Sequence, residues 1–169
     1  MDMEARGHSD HSEALRLWLR MLTCTQLVEK QVRLQLRAQF DTTLPRFDLM
    51  AQLERNPDGL KMNELSRRMM VTSGNVTGIT DQLVSELLVE RMEVQGDRRA
   101  YRVRLTALGH QVFDEMARQH ELWISAAFEA LSSNEVALLH NLLGKVKQHH
   151  SRQPNPNPLD RPLDRLEII

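Results

Sequence analysis

The sequence predicts a mainly α-helical protein with one small β-hairpin. Three observations predict it: long helical segments at both ends of the folded region, short ones between them, and one stretch near residue 100 where polar and apolar residues alternate. Of the 169 residues, 41% are hydrophobic and 27% are charged, as in ordinary globular proteins. We therefore expect a single compact unit that is large enough to bury an apolar core.

The first long helix is predicted over residues 10–40, which contain neither Gly nor Pro. Asp10 and Glu13 have the spacing of a capping box at its start. Its apolar residues form two stripes, and two stripes indicate contact on more than one side of the helix. We expect a second subunit to cover part of this surface. The stripe residues are Leu17, Met21, Cys24, Val28 and Val32 in one and Leu15, Leu19 and Leu22 in the other.

Three short helices are predicted next. "TTLPRFDLMAQLERNPDG" has a Thr cap candidate, Pro45 in the first helical turn and a stop at "NPDG". "LKMNELSRRMM" and "TSGNVTGITDQLVSELL" follow, and only a few residues around Val71 separate them. The residues expected to face inward on these two helices are Leu65, Met69, Val76, Ile79 and Leu83.

The period then changes from that of a helix to that of a strand. "VERMEV" and "YRVRL" both alternate, and Gly96-Asp97 joins them, so the sequence predicts a two-stranded hairpin. Alternation places Arg102 and Arg104 on its solvent side, while Arg98 and Arg99 are expected in the loop. Two short helices with a tight turn, followed directly by a hairpin, are typical of a winged helix-turn-helix.

Helical periodicity returns after Thr106 in a long apolar stripe, and Ser132 or Ser133 is placed to cap the final helix. The stripe residues are Leu108, Val112, Met116, His120, Trp123, Ile124, Ala127 and Leu131. The tail, residues 151–169, contains four of the six prolines and a doubled "PLDR", a composition that predicts disorder.

Several classes of protein are excluded by what the chain lacks. No apolar run has the ~18 to 20 residues needed to span a bilayer, and the acidic start "MDMEARGHSDHSEA" does not have the order of a signal peptide. We therefore expect a cytoplasmic location and no membrane contact. The seven histidines show no metal-ligand spacing, and no nucleophile-base set or phosphate loop is present. We expect no metal, no cofactor and no enzymatic activity.

The end of the hairpin carries a specific signature, D-x-R-x-x-x-V-x-L-T, formed by Asp97, Arg99, Val103, Leu105 and Thr106. With this signature and its order of elements, the chain resembles the MarR family of bacterial winged-helix transcription regulators from about residue 15 to 146.

The resemblance implies a homodimer that binds a pseudo-palindromic DNA operator and releases it when a small, often aromatic, ligand binds. It implies a helical dimerisation region at 10–40 and 107–150 and a winged helix-turn-helix DNA-binding lobe at 41–106. "TLPRFDLMAQL" and "VTSGNVTG" also resemble a subgroup associated with hydroxycinnamate catabolism, in which some members sense an aromatic acyl-CoA.

DNA reading is predicted for the third short helix and the hairpin, or wing. The helix has no basic residue between Val71 and Glu90, so we expect uncharged side chains to read bases, above all Asn75, which can pair bidentately with adenine. In the resemblance, Asp97 orients the wing and Arg99 enters the minor groove; the alternative is a solvated charged loop. The candidate DNA-binding residues are Thr72, Ser73, Asn75, Thr77, Gln82, Arg98, Arg99 and Arg102.

The chain departs from the family pattern at several of these positions. Gly78 and Gln82 stand where basic residues are common in relatives, and Met70 and Leu87 stand where relatives often have Gly. A residue other than Gly in a left-handed conformation costs roughly 1 kcal/mol or more. Gly74 and Gly78 would each cost about 1 kcal/mol relative to Ala in a helix. They either relieve crowding within the protein or allow the backbone to approach DNA closely.

The resemblance also implies an effector site. Arg46 is the expected partner of a ligand carboxylate or phosphate, although it could instead cap its helix or pair with Asp48 or a DNA phosphate. The apolar candidates have ordinary core packing as their alternative. The candidate effector-binding residues are Trp18, Leu22, Arg46, Phe47, Met50, His110 and Phe113.

Two further functions are possible for such a chain. The low net charge of -1 and the absence of basic residues from the recognition helix are compatible with a winged-helix dimer that acts as a protein-interaction module. Cys24, the only cysteine, would make the regulator redox-responsive, as in some relatives. We favour a buried structural thiol, because no basic residue adjoins Cys24 in the sequence to lower its pKa.

Overall fold

The fold is mainly α-helical with a small antiparallel sheet, as the sequence predicts. The structure, a computed structural model, describes the backbone of residues 3–69, 72–94 and 97–152 and the side chains of residues 13–69, 72, 74–93 and 101–151. The elements are α1 (Met3–Phe40), α2 (Leu44–Glu54), β1 (Leu60–Lys61), α3 (Met62–Met69), α4 (Ser73–Ser85), β2 (Val89–Val94), β3 (Asp97–Leu105), α5 (Ala107–Ala127) and α6 (Ser133–Arg152).

The chain divides into two compact units, residues 1–41 and 42–169. The first unit is α1, which begins at Met3, so the predicted helix start at Asp10 is wrong. Cys24 is exposed, so the expectation of a thiol buried within the chain is also wrong. The exposed large apolar residues of α1 are Leu15, Leu17, Trp18, Leu19, Leu22, Leu27 and Leu34.

The second unit has its apolar core among α2, the three strands and α3 to α5. Leu65, Met69, Val76 and Leu83 are buried as predicted, and Ile79 is half-buried. Fully burying one such side chain is worth about 1.5–3 kcal/mol. This burial therefore fixes which faces of α3 and α4 point inward. The other core residues include Leu49, Met50, Leu53, Leu60, Val89, Val103 and Leu105.

The sheet has three strands in the order β1-β3-β2, so the predicted two-stranded hairpin was incomplete. β1 has only two residues, too few for alternation to be visible, and it pairs Leu60 with Val103. Gly59, at φ 77°, turns the chain into β1, and a Cβ there would lie 2.8 Å from the carbonyl oxygen of Val103. Only glycine fits this left-handed and crowded position.

α4 ends in a left-handed turn at Leu87, whose φ is 62°. The N–H of Leu88 donates to the carbonyl of Leu83 and the N–H of Leu87 donates to that of Val84, both at 3.0 Å. This is the paired bonding of a Schellman motif, in which Gly is the usual residue at the left-handed position. The strain expected where Leu replaces glycine is therefore present at Leu87. Met70 lies outside the described residues.

Thr106 and Gly109 join the end of α4 to the start of α5. The Thr106 hydroxyl donates to the carbonyl of Leu87 at 2.7 Å and accepts from the N–H of Gly109 at 2.9 Å. The Thr106 N–H donates to the carbonyl of Leu88 at 3.1 Å. α5 thus begins where the sequence predicts. A Cβ on Gly109 would lie only 2.0 Å from the Leu88 oxygen, so the two segments touch through backbone.

α5 ends at Ala127, before the predicted Leu131, and α6 follows after a short turn. The Ser132 N–H donates to Oε2 of Glu135 at 2.8 Å, and Ser132 Oγ accepts from the Glu135 N–H at 3.4 Å. The prediction of a cap at Ser132 is confirmed, and these hydrogen bonds lower the pKa of Glu135. Ser151 and Arg152 belong to α6. The rest of the predicted tail, residues 153–169, lies outside the described residues.

Several large apolar residues of α6 are exposed in the single chain. These residues are Val136, Leu138, Leu139, Leu142, Leu143 and Val146. Within the described part of the chain, no helix combines the length and apolar character required to cross a membrane.

Gly109→Ala should destabilise the second unit by about 3 kcal/mol, because the new methyl group would meet backbone that cannot move without breaking the Thr106 hydrogen bonds. Gly144→Ala on α6 is the matched control, since a Cβ there meets nothing within 4 Å. It should be neutral or stabilise the helix by up to about 1 kcal/mol. Urea unfolding of both variants measures the difference, and equal midpoints would contradict the close contact at Gly109.

Candidate nucleic-acid interface

One face of α4 is exposed and carries uncharged polar side chains. Val76, Thr80 and Leu83 are fully buried on the opposite face, which fixes the rotation of the helix. The candidate readers that share the exposed surface are Thr72, Asn75, Thr77 and Gln82. The side chain of Ser73, the remaining candidate on α4, lies outside the described part. The structure therefore leaves all four of these described candidates exposed to solvent.

Gly74 and Gly78 lie on the same exposed surface. A Cβ built on either glycine would meet no atom within 4 Å. The interpretation that these glycines relieve crowding is therefore wrong for this chain. Each costs about 1 kcal/mol in a helix relative to Ala, and no contact within the described protein requires it. At Gly74 and Gly78 the backbone of α4 is therefore accessible to a binding partner.

Two carboxylates of α4 and its end are bound to arginines from other elements. Asp81 accepts a hydrogen bond from Nη2 of Arg91 on β2, and Glu86 accepts one from Nη2 of Arg46 on α2. These ion pairs connect residues 10 and 40 positions apart in sequence, and helical spacing does not reveal them. They neutralise both acids, and they connect α4 to β2 and the residue after α4 to α2.

Arg102 and Arg104 lie on the face of β3 opposite the buried Val103 and Leu105, as the alternation predicts, but both have partners within the lobe. Arg102 is half-buried rather than fully solvated, and its Nη1 donates to the carbonyl of Gly59 at 3.2 Å. Arg104 pairs with Glu90 on the neighbouring strand, with 2.6 Å between Nε and Oε1. Both side chains are therefore engaged within the lobe.

Asp97, Arg98 and Arg99 belong to β3, so their expected position in a loop is wrong. The side chains of these three residues lie outside the described part. β1 is the edge strand opposite β2, and β1 and α3 carry basic residues that are not among the predicted DNA contacts. Lys61 and Arg67 are exposed, and Arg68 is half-buried.

Phe47 and Phe113 of the predicted effector site belong to one cluster of aromatic rings. Phe47 stacks on Phe113 with ring centroids 5.5 Å apart, and it lies 4.9 Å from the ring of His120. Trp123 meets His120 edge to face at 6.5 Å. Burial lowers the pKa of His120, which keeps the ring neutral among these apolar groups. The sequence placed His120 and Trp123 in the helical stripe but not in this cluster.

The other predicted effector residues have separate environments. Met50 is buried in the core, whereas Trp18 and Leu22 are exposed on α1. His110 Nδ1 lies 2.5 Å from Oε2 of Glu54.

Arg46 is 17% exposed and pairs with Glu86, an acid that the sequence did not suggest. Its Nε is buried and, among the described residues, has no hydrogen-bond partner. In that part of the chain no three or more His, Cys, Asp or Glu side chains form a group suited to a metal ion.

Comparison with known proteins finds the same fold and a similarity to one family. The MarR family model matches residues 42–101, from the start of α2 into β3. The uncharacterized HTH-type transcriptional regulator YsmB of Bacillus subtilis is 26% identical over 124 residues, which are 73% of this chain and 84% of YsmB. The HTH-type transcriptional repressor YetL of the same organism is 29% identical over 98 residues, 58% of this chain and 59% of YetL.

Solved structures extend the similarity to the flanking helices. A crystal structure of a MarR mutant from E. coli complexed with operator DNA has a TM-score of 0.67 and 26% identity, and the match covers 79% of this chain and 95% of that one. Together, these comparisons show that the chain has the winged helix-turn-helix fold of this structural neighbour and is similar to transcriptional regulators of the MarR family.

Proposed function

We propose that this chain is a transcriptional regulator of the MarR family, which binds a pseudo-palindromic DNA operator as a homodimer and represses transcription. The observation that carries the proposal is the exposed polar face of α4, which has no basic residue and whose other face is fixed in the core by Val76, Thr80 and Leu83. A helix held in this way can enter the major groove, where each base pair presents a distinct pattern of donors and acceptors. The MarR mutant bound to operator DNA and the repressor YetL support the proposal by similarity.

A second copy of the chain is the proposed cover for the apolar residues of α1 and α6. Leu17 and Leu27 on α1 are 59% and 62% exposed, and Leu138 on α6 is 59% exposed. Apolar surface on this scale is uncommon on a soluble monomer and marks an interaction site. A two-fold dimer would also present two copies of α4, which matches the symmetry of a pseudo-palindromic operator.

Direct base reading falls to Asn75 and Gln82, because their amides can each form two hydrogen bonds with adenine. Thr72, Ser73 and Thr77 supply hydroxyls near the start of α4 for phosphates or base edges. At the wing, Arg99 is the proposed minor-groove contact beside Asp97, and Arg98 a phosphate contact. Arg102 uses one guanidinium donor on Gly59, which leaves other donors for a phosphate.

The function is tested by measuring binding to duplexes from the regulator's own promoter region. Asn75→Ala should lower the ratio of operator to random-duplex affinity, since a lost bidentate pair costs about 1–3 kcal/mol of discrimination. Asn141→Ala on α6 is the matched control, an exposed Asn that should leave the ratio unchanged. Fluorescence anisotropy across a salt series gives both affinities. Failure of every promoter duplex to bind at low salt would refute the proposal and favour the protein-interaction module.

Gly78→Ala should affect folding and binding in opposite directions. The methyl group enters open space, so the helix becomes more stable by up to about 1 kcal/mol. It also stands between the backbone and the groove, so operator affinity should fall by roughly tenfold, or about 1.4 kcal/mol. Thermal melting and anisotropy measure the two effects. Gly144→Ala should stabilise α6 without changing affinity, and unchanged affinity in Gly78→Ala would show that α4 makes no close backbone approach.

We also propose that a small aromatic carboxylate, or an aromatic acyl-CoA, releases the operator. Arg46 supports this proposal because its guanidinium is largely buried and its Nε has no partner among the described residues. A ligand carboxylate or phosphate at Arg46 would compete with Glu86, which follows the last residue of α4. Loss of that ion pair would alter the attachment of the recognition helix.

Thermal-shift screening against aromatic acids and their CoA thioesters tests this response. A ligand that binds only the folded state raises the melting temperature, by an amount that grows with its concentration over Kd. Arg46→Gln should reduce that shift, whereas Arg55→Gln, at an exposed arginine just after α2, should preserve it. An equal shift in both variants would remove Arg46 from the site.

A further inference from the structure

Asp81 places a carboxylate on the exposed side of α4. It lies three residues after Gly78 and adjoins Gln82, and its side chain is 55% exposed. On a helix that enters the major groove, a carboxylate so placed repels the phosphates of both strands. The helix itself does not need the charge, because Asp81 lies near neither helix end. The presence of a carboxylate at Asp81 is therefore better explained by the residue that it pairs with.

That partner is Arg91, which is held from two sides. Nη2 of Arg91 donates to Oδ1 of Asp81, and the guanidinium carbon lies 5.1 Å from the ring centroid of Tyr101 on β3. An arginine over an aromatic face gains a cation–π attraction. Arg91 is thereby fixed where the recognition helix meets the wing, and its side chain is 42% exposed.

Carboxylate and phosphate compete for the same guanidinium. Both offer oxygens that accept the N–H bonds of an arginine, and the negative charge of Asp81 offsets the positive charge of Arg91. A phosphate therefore gains less from Arg91 while Asp81 holds it. Arg104 is bound to Glu90 in the same way on the adjacent strands. Since cation contacts to phosphate supply most of the affinity for DNA of any sequence, such pairs reduce non-specific binding.

We propose that Asp81 limits the affinity of the protein for DNA of any sequence by withholding Arg91 from the phosphates. It lowers affinity for all sequences alike and leaves discrimination to the uncharged side chains of α4. This inference rests on the proposed function, because it assumes that α4 and the wing face DNA. Asp81 acts through Arg91 and contacts no base.

The test is Asp81→Asn in the full chain, with binding to a random duplex and to the operator at about 50 and about 200 mM salt. Freed to contact one more phosphate, Arg91 should steepen the slope of log affinity against log salt by about 0.9. The loss of random-duplex affinity between these salt concentrations should then grow roughly threefold, since the concentration changes about fourfold. The ratio of operator to random-duplex affinity should stay unchanged, because the added phosphate contact strengthens both complexes alike.

Two controls separate this mechanism from simpler ones. Glu93→Gln removes one exposed carboxylate from β2 and changes the net charge equally, so the same gain in that variant would overturn the proposal. Asp81→Asn combined with Arg91→Gln should lose the gain. If the double variant keeps it, the charge of Asp81 repels DNA directly and Arg91 is not involved.

The remaining outcomes are equally decisive. If thermal melting shows that Asp81→Asn is folded and its salt slope equals that of the wild type, the inference is overturned. Operator binding by the wild type would still support the proposed function in that case. Wild-type protein that binds no duplex would instead refute the proposed function. Because the pair is exposed, its loss should leave the melting temperature close to that of the wild type.

Discussion

The contact between the end of α4 and the start of α5 is the constraint on which the second unit depends. Thr106 closes it with three hydrogen bonds, to the carbonyls of Leu87 and Leu88 and from the N–H of Gly109. The contact is so close that only glycine fits at position 109. Leu87 must adopt its left-handed conformation to turn its carbonyl, and that of Leu88, into this junction. The left-handed conformation of Leu87 costs roughly 1 kcal/mol. The junction that it permits sets where α4 ends and where the sheet meets α5.

Burial and ion pairs have different roles in positioning α4. The buried Val76 and Leu83 contribute about 1.5–3 kcal/mol each, whereas an exposed ion pair contributes about 0–1 kcal/mol. The core therefore decides the rotation of the helix. The pairs of Asp81 with Arg91 and of Glu86 with Arg46 instead decide which charges remain available at its surface.

The net charge of the chain is -1, so a nucleic-acid interface on it cannot depend mainly on positive charge. Arg46, Arg91 and Arg104 each have a carboxylate partner within the lobe, so a count of basic residues overstates the charge that DNA would meet. The exposed face of α4 has amides, hydroxyls and two glycines instead. Such a surface favours recognition by hydrogen bonds and close backbone approach over attraction to the phosphate backbone.

Local patterns in the sequence determined the order of the helices and of β2 and β3, the inward residues of α3 and α4, the start of α5 after Thr106, the cap at Ser132, and the unusual Leu87. Each of these depends on residues within a few positions of one another, where helical period, strand alternation and capping chemistry act. The tertiary structure alone decided the partners of Arg46 and Arg91, the addition of β1 to the sheet, the position of Arg98 and Arg99 within β3, and the open space around Gly74 and Gly78. These features depend on which distant segments pack together, and the separation of 40 residues between Arg46 and Glu86 leaves no periodic signal in the chain.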